Sequence, residues 1–271
     1  MRRGVSLQEA SAQLARDAAG LGQRVIAMSL YGTDAEFWFG AIENAVLVKR
    51  DWPTWSLRIY HDNWPTWSLR IYHDNLVPNK MLSVLRSLDV NLVPESAGVH
   101  AHDHAGHLWH FKVLEDANVT RYLVRDADAR LSKRGKRAVD EWIQSGLYFH
   151  VMREHPLHGI EILAGMWGAV GGLIRPQMLE PVMKSVAEVP LNEDEVFLRD
   201  FVWPHVRNHT HSRTIHTIAP CLNIGALFPT RRLAPQDFVG KKYDYANDFE
   251  GMATNTDCPE VCRPHKDWVQ C

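Results

Sequence analysis

The sequence has no excess of either charge. Its 30 Lys and Arg stand against 32 Asp and Glu, for a net charge of −2. That leaves no electrostatic footprint for nucleic acid or for an anionic membrane surface. Long apolar runs are missing too. None approaches the roughly 18 residues that a membrane span needs. After the basic Met1-Arg2-Arg3-Gly4, the stretch Ser6 to Gly22 is polar and Ala-rich, unlike the apolar core of a signal peptide. A cytoplasmic location is the expectation. Cysteine is scarce. Of Cys221, Cys258, Cys262 and Cys271, three fall in the last 14 residues. The Cys258-x3-Cys262 spacing departs from the common C-x2-C zinc pattern. Free thiols are expected there, with a disulfide or a metal clip left open.

What is present is an ordinary globular composition, 45% apolar and 23% charged. A chain of 271 residues is long enough for one sizeable α/β domain, or for two small ones. One internal repeat stands out. Residues 52–63 and 64–75 are the same twelve residues, WPTWSLRIYHDN, in direct tandem. Structural repeats usually have periods above about 20 residues, so an exact duplicate of this length reads as a sequence duplication. Only one copy is expected in the core strand position. The even length keeps the alternation of faces along a strand.

Arg24 to Leu30 reads as a buried strand ended by Tyr31-Gly32, and Asp34 to Val48 as a helix. The repeat supplies a strand at 55–60 or 67–72. Pro78 to Leu88 reads as a helix and Val90 to Pro94 as a short strand. Ala97 to His107 reads as a His- and Gly-rich loop, and His110 to Asp116 as a helical turn. Arg121 to Arg125 is a strand, Lys133 to Gly146 a helix, Leu147 to Met152 a strand. Gly165 to Ile174 has strand character, Pro190 to Trp203 is a helix, and 225–271 is loop-rich. Strands that alternate with helices predict a mostly parallel sheet covered on both faces, with ligands at the carboxyl ends of the strands.

The stretch Arg121–Arg130, RYLVRDADAR, places Asp126 and Asp128 directly after such a strand. Two carboxylates at i and i+2 suit hard cations such as Mg2+ or Mn2+, and a metal held there can neutralise a diphosphate leaving group. The plainer alternative is a turn cap beside a solvated Asp. Arg153-Glu154-His155-Pro156-Leu157-His158 follows the next strand. Arg153 could clasp an oxyanion in bidentate fashion, or the segment could be a salt-bridged loop. In Gly165-Met166-Trp167-Gly168 the indole could face a sugar ring or lie in the core. His100, His102, His104, His107 and His110 read as a loop over the acceptor side, since no helical metal pair appears among them.

A strand that ends in D-x-D after a nucleotide-binding α/β half resembles the GT-A glycosyltransferases. The stretch 121–168 resembles a bacterial and algal group of glycosyltransferase-like proteins with an R-D-[AS]-D-[AS]-R pattern. Here it reads Arg125-Asp126-Ala127-Asp128-Ala129-Arg130, then Ala138-Val139-Asp140-Glu141-Trp142, Phe149-His150-Val151-Met152-Arg153-Glu154-His155-Pro156-Leu157-His158 and Gly165-Met166-Trp167-Gly168. The likeness covers roughly 25–230 and is motif-dense only over 121–168. The duplicated strand departs from its single one.

The resemblance implies one α/β, GT-A-like domain over 1–271. A Rossmann-like sugar-nucleotide half would occupy 24–130, an acceptor and catalytic half 131–230, and a loop-rich tail 231–271. It implies donor binding by Ser29, Leu30, Tyr31, Gly32, Arg125 and Asp126. Arg153, His155, His158, Trp167 and Gly168 would meet acceptor or phosphate. Mn2+ or Mg2+ would sit on Asp126, Asp128 and His211, with His209 in reserve. Asp194, with Glu193 beside it, would lie near the reacting carbon and take the acceptor proton in an inverting reaction. Read without the resemblance, the acidic start of that helix complements its dipole. The expected activity is metal-dependent transfer of a sugar from a nucleotide-diphosphate donor to a glycan or small-molecule acceptor. The alternatives are a D-x-D phosphohydrolase, or a sugar-nucleotide-binding protein impaired by the duplication.

Overall fold

The computed structural model describes residues 5–52, 67–95, 104–155, 158–179, 193–207, 214–217, 225–234, 237–242, 257, 260–263 and 265–269. Helix α1 (Leu7–Ala18) comes first. Strand β1 (Gln23–Leu30), helix α2 (Ala35–Asp51), strand β2 (Trp67–His73), helix α3 (Asn79–Ser87) and strand β3 (Asn91–Pro94) follow in alternation. A 3₁₀ segment, His104–Glu115, leads into strand β4 (Val119–Val124), helix α4 (Lys133–Ser145), strand β5 (Phe149–Arg153) and strand β6 (Trp167–Val170). Helical turns over 193–206 precede strand β7 (Thr214–Thr217).

The seven strands form one sheet in the order β3-β2-β1-β4-β6-β5-β7. β1 pairs in parallel with β2 and β4, β2 with β3, and β5 with β7. Only β6 runs the other way, antiparallel to both β4 and β5. This is the expected α/β class with a mostly parallel sheet: a Rossmann-like parallel half, β3-β2-β1-β4, followed by one reversed strand. The sequence explains the central strands. β1 and β4 are near-continuous apolar runs, buried on both faces, as central parallel strands must be. Helices α2 and α4 are capped at their starts by side chains. Asp34 accepts the Glu36 amide and Ser132 the Gly135 amide. Gly146, at φ 69°, closes α4 in the left-handed region.

The second copy of the repeat forms β2, with Trp67 to His73 in register with Arg24 to Leu30. The strand position of the first copy, 55–60, lies outside the described residues. No described helix is long and apolar enough to cross a membrane. Cys221, Cys258 and Cys271 lie outside the described residues, as does the side chain of Cys262.

The chain moves outward from β1 to β2 and β3, then returns to place β4 on the other side of β1. The order of strands therefore reverses between β1 and β4. In open α/β sheets the crevice for ligands lies at the carboxyl ends of the strands at such a reversal.

Candidate functional site

A cavity of about 500 Å³ opens at that reversal. From β1 come Ser29 and the following Tyr31. From β4 come Arg125, Asp126, Ala127 and Asp128. Asp194 and Glu195 enter from the helical turns, His107 and His110 from the 3₁₀ segment, His158 from the loop after β5, and Lys242 from the last segment.

The D-A-D-A-R turn is held from beneath by α2. Asn44, fully buried, donates from its amide to the carbonyls of Ala127 (3.3 Å) and Ala129 (2.9 Å) and accepts the Leu131 amide (2.9 Å). Gly40 allows the close approach, because a Cβ there would overlap the Ala127 carbonyl. Arg130 pairs with Glu43 of α2 and donates to the carbonyls of Ala127 and Asp128. Gly165 opposes the turn from the other side, where a Cβ would overlap the Asp126 carboxylate. Backbone hydrogen bonds and two glycines thus fix where both carboxylates sit.

The electrostatics are unbalanced. Asp128 is 4% exposed. Its Oδ2 takes a 2.8 Å ion pair from Lys242, while Oδ1 has no hydrogen-bond partner among the described residues. Burial, then the charges of Asp128 and Asp194, pushes the Asp126 carboxyl up to about 7. Burial also raises Asp194 and Glu195. The Tyr31 phenol is raised to about 12 by burial, with Asp194, Asp126 and Asp128 adding to it. Burial pulls the Lys242 ammonium down, but Asp128 outweighs it and holds the group charged. Four carboxylates therefore face two permanent cations, Arg125 and Lys242, around one cavity.

The Ser29 hydroxyl accepts the His110 amide and lies 3.0 Å from His110 Nδ1. Burial lowers His110 to about 3, so the ring is neutral. Arg125 donates to the carbonyls of Val124 (2.6 Å) and Trp167 (2.7 Å), and its Nη2 has no partner among the described residues.

The structure brings Ser29, Tyr31, Arg125, Asp126, Asp128, His158 and Asp194 together around the cavity. Others of the expected set lie elsewhere. Leu30 points into the core and its carbonyl accepts the Asp74 amide. The Gly32 amide is engaged by the Asp74 carboxylate at 3.0 Å. Trp167 is not a sugar platform: it is fully buried among Phe149, Tyr122 and Phe111, and Gly168 packs on Leu123 beside it. Their strand β6 lies inside the sheet, between β4 and β5. Arg153 and His155 do not line the cavity; His155 is buried against Phe238. His158 turns inward, its Nδ1 accepting the amides of Glu154 and His155. His209, His211 and the Glu193 side chain fall outside the described residues.

Sequence reasoning missed Asn44, Gly40 and Lys242. It also read His107 as part of a loop and His110 as only a helical turn near the acceptor. The signal for the histidines was the apolar Leu108, Trp109 and Phe111 between and beside them, all buried here. Lys242 carried no local signal. It arrives because Glu154, fully buried, binds Arg134 (2.6 Å), Arg232 (3.2 Å) and the Val239 amide (2.7 Å), tying Arg232 and Val239 to the end of β5.

No family model matches the sequence, and neither does any curated protein. Solved structures do. The chain is similar to a 4-diphosphocytidyl-2C-methyl-D-erythritol synthase from Anaerococcus prevotii, at 8% identity over 73% of this chain and 89% of that one, with a TM-score of 0.40. It is also similar to residues 1–349 of TarS from S. aureus, at 13% identity over 65% of this chain and 53% of that one, with a TM-score of 0.38. Likenesses this distant assign no activity to this chain.

Proposed function

We propose that the cavity binds a sugar nucleotide together with a divalent cation, and that the protein is a glycosyltransferase. The observation that carries this reading is the pair Asp126 and Asp128, fixed at the strand reversal with one buried Asp128 oxygen unpartnered among the described residues. Among the described residues no group of three His, Cys, Asp or Glu could hold a metal. Mg2+ and similar hard cations are commonly held by one or two carboxylates, with phosphate oxygens and water completing the shell. Two carboxylates and an orphaned oxygen fit that mode, with His211 as a further candidate ligand. When bound, the cation would supply charge stabilisation for a diphosphate leaving group.

The charge balance points the same way. An anionic ligand entering a cavity lined by four carboxylates and two cations meets net repulsion, which a divalent cation on Asp126 and Asp128 removes. The protein's own groups then have separable tasks. Arg125 offers a charged hydrogen-bond donor and the neutral His110 an uncharged imidazole nitrogen. Tyr31, at the carboxyl end of β1, presents its ring and phenol to the nucleoside side. Asp194, which lines the cavity and is raised by burial, would accept the proton of an acceptor hydroxyl.

The test is a melting-temperature screen of UDP, GDP and other nucleotide-diphosphate sugars with and without Mn2+, followed by donor turnover. A stabilising donor is expected only with Mn2+, and Asp128→Ala should lose both the shift and the turnover. Absence of any shift across the donors with Mn2+ would sink the reading, as would donor turnover that survives Asp128→Ala.

A further inference from the structure

Lys242 holds a position that cation binding at Asp128 must disturb. Its ammonium sits 2.8 Å from Asp128 Oδ2, beside the unpartnered Oδ1, so a metal on that carboxylate meets a positive charge already in place. The two partners are unlike. The Asp128 side chain is 6% exposed, whereas that of Lys242 is 68% exposed. The carboxylate is fixed by the backbone of its turn, while the ammonium reaches it from solvent on a flexible stem.

The backbone beneath that stem is well anchored. The Val239 amide is held by Glu154 at 2.7 Å. Phe238 packs on His155 with ring centroids 4.6 Å apart. Gly240, at φ 85°, sits where a Cβ would overlap Met166. Lys242 itself bridges Ala129 in antiparallel fashion. The root of the side chain is thereby fixed at the cavity rim, and its head is free to change partners at small cost.

We propose that Lys242 is an exchangeable cation of this site: it neutralises Asp128 when no metal is bound, yields that carboxylate to a divalent cation, and then pairs with the phosphate oxygens that the cation brings. This deepens the reading above and rests on it. A lone ammonium supplies one charge to Asp128, and a divalent cation supplies two to the Asp126–Asp128 pair, so the exchange is downhill once phosphate oxygens are present to receive the lysine. Arg would serve in the same place, and a neutral side chain would not.

The exchange is tested with Mn2+ alone, read from the electron paramagnetic resonance of the free ion. Inorganic pyrophosphate is then titrated calorimetrically at saturating Mn2+. The proteins are the wild type, Lys242→Gln and Lys242→Arg, with melting curves to show that each is folded. Lys242→Gln should bind Mn2+ roughly two- to fivefold more tightly, because its internal competitor is gone, and pyrophosphate roughly two- to fivefold more weakly, the scale of one partly exposed ion pair. Lys242→Arg should stay near the wild type in both. An unchanged or weaker Mn2+ affinity in Lys242→Gln overturns the exchange, and so does unaltered pyrophosphate binding. If all three proteins bind Mn2+ and pyrophosphate alike, only the exchange falls. If none binds either, the metal-dependent reading falls with it.

Discussion

The two edges of the sheet each bury a cluster of charge, and the clusters are built on opposite principles. At the amino-terminal edge, Asp17 of α1 accepts Arg24 of β1 at 2.7 and 2.9 Å and Arg121 of β4 at 2.7 Å, with the Thr120 hydroxyl at 3.1 Å. Burial pulls its carboxyl up, but the two arginines outweigh that and hold it below the ordinary value. At the carboxyl-terminal edge, Asp126, Asp128, Asp194 and Glu195 crowd one cavity with two permanent cations among them, and a buried Asp128 oxygen has no described partner. The first edge sets one carboxylate between two guanidiniums, with Arg121 Nη1 lacking a hydrogen-bond partner among the described residues, and joins α1 to the sheet. The second leaves charge uncompensated where a ligand can enter. Carboxylates gathered around an open cavity, rather than around arginines beneath a helix, make the second edge the one to read as functional.

The contrast can be broken most severely from the closed edge. Asp17→Ala strands Arg121, whose side chain is 2% exposed, without its counter-charge. A loss of about 3–5 kcal/mol in urea denaturation is expected, while the Mn2+ affinity of the folded fraction stays unchanged. A loss well under 1 kcal/mol would mean that this edge is not the tether described. An intermediate effect is expected at Asn44, which supports the open edge from below. Asn44→Ala removes three hydrogen bonds to the D-A-D-A-R turn and should cost about 1–3 kcal/mol. Unlike Asp17→Ala, it should also weaken Mn2+ binding in protein that remains folded. Loss of stability with full metal affinity would show that the turn keeps its shape without α2.

The smallest effect separates the edges by pH. His110 is lowered from 6.5 to about 3 by burial. Below pH 6.5 the unfolded chain takes up a proton that the native chain refuses, so stability falls with pH, by at most about 1.4 kcal/mol per unit from this group. The Asp17 contribution runs in a lower window. Its native value lies below 3.8, so its stability is present above that pH and is lost only as pH falls further. His110 by itself should therefore weaken the open edge between pH 6.5 and 5, while the raised Asp126 carboxyl, which takes up its proton in the native chain first, opposes that slope over the same range. Thermal melts of wild type and His110→Gln across that range check it, with a smaller loss of stability on acidification expected for the variant.

Much of the fold was legible in local sequence. The apolar runs at 24–30 and 121–125 announced β1 and β4, and Asp126 and Asp128 followed from their place after β4. Ser29, Tyr31, Arg125, His158 and Asp194 were anticipated and do reach the cavity. Trp167 could not be placed from its neighbours, because an indole beside glycines looks the same on a rim as inside a sheet. Only the insertion of β6 between β4 and β5 put it in the core.

The sequence by itself determined the alternating strands and helices and the pair of carboxylates at a strand end, because periodicity and strand termini are properties of neighbouring residues. The tertiary structure alone decided that β2 is the second copy of the repeat, that Asn44 and Gly40 cradle the turn 83 to 87 residues away, and that Lys242 reaches Asp128. Those contacts join residues far apart in the chain, and nothing in their local sequence fixes the distance between them.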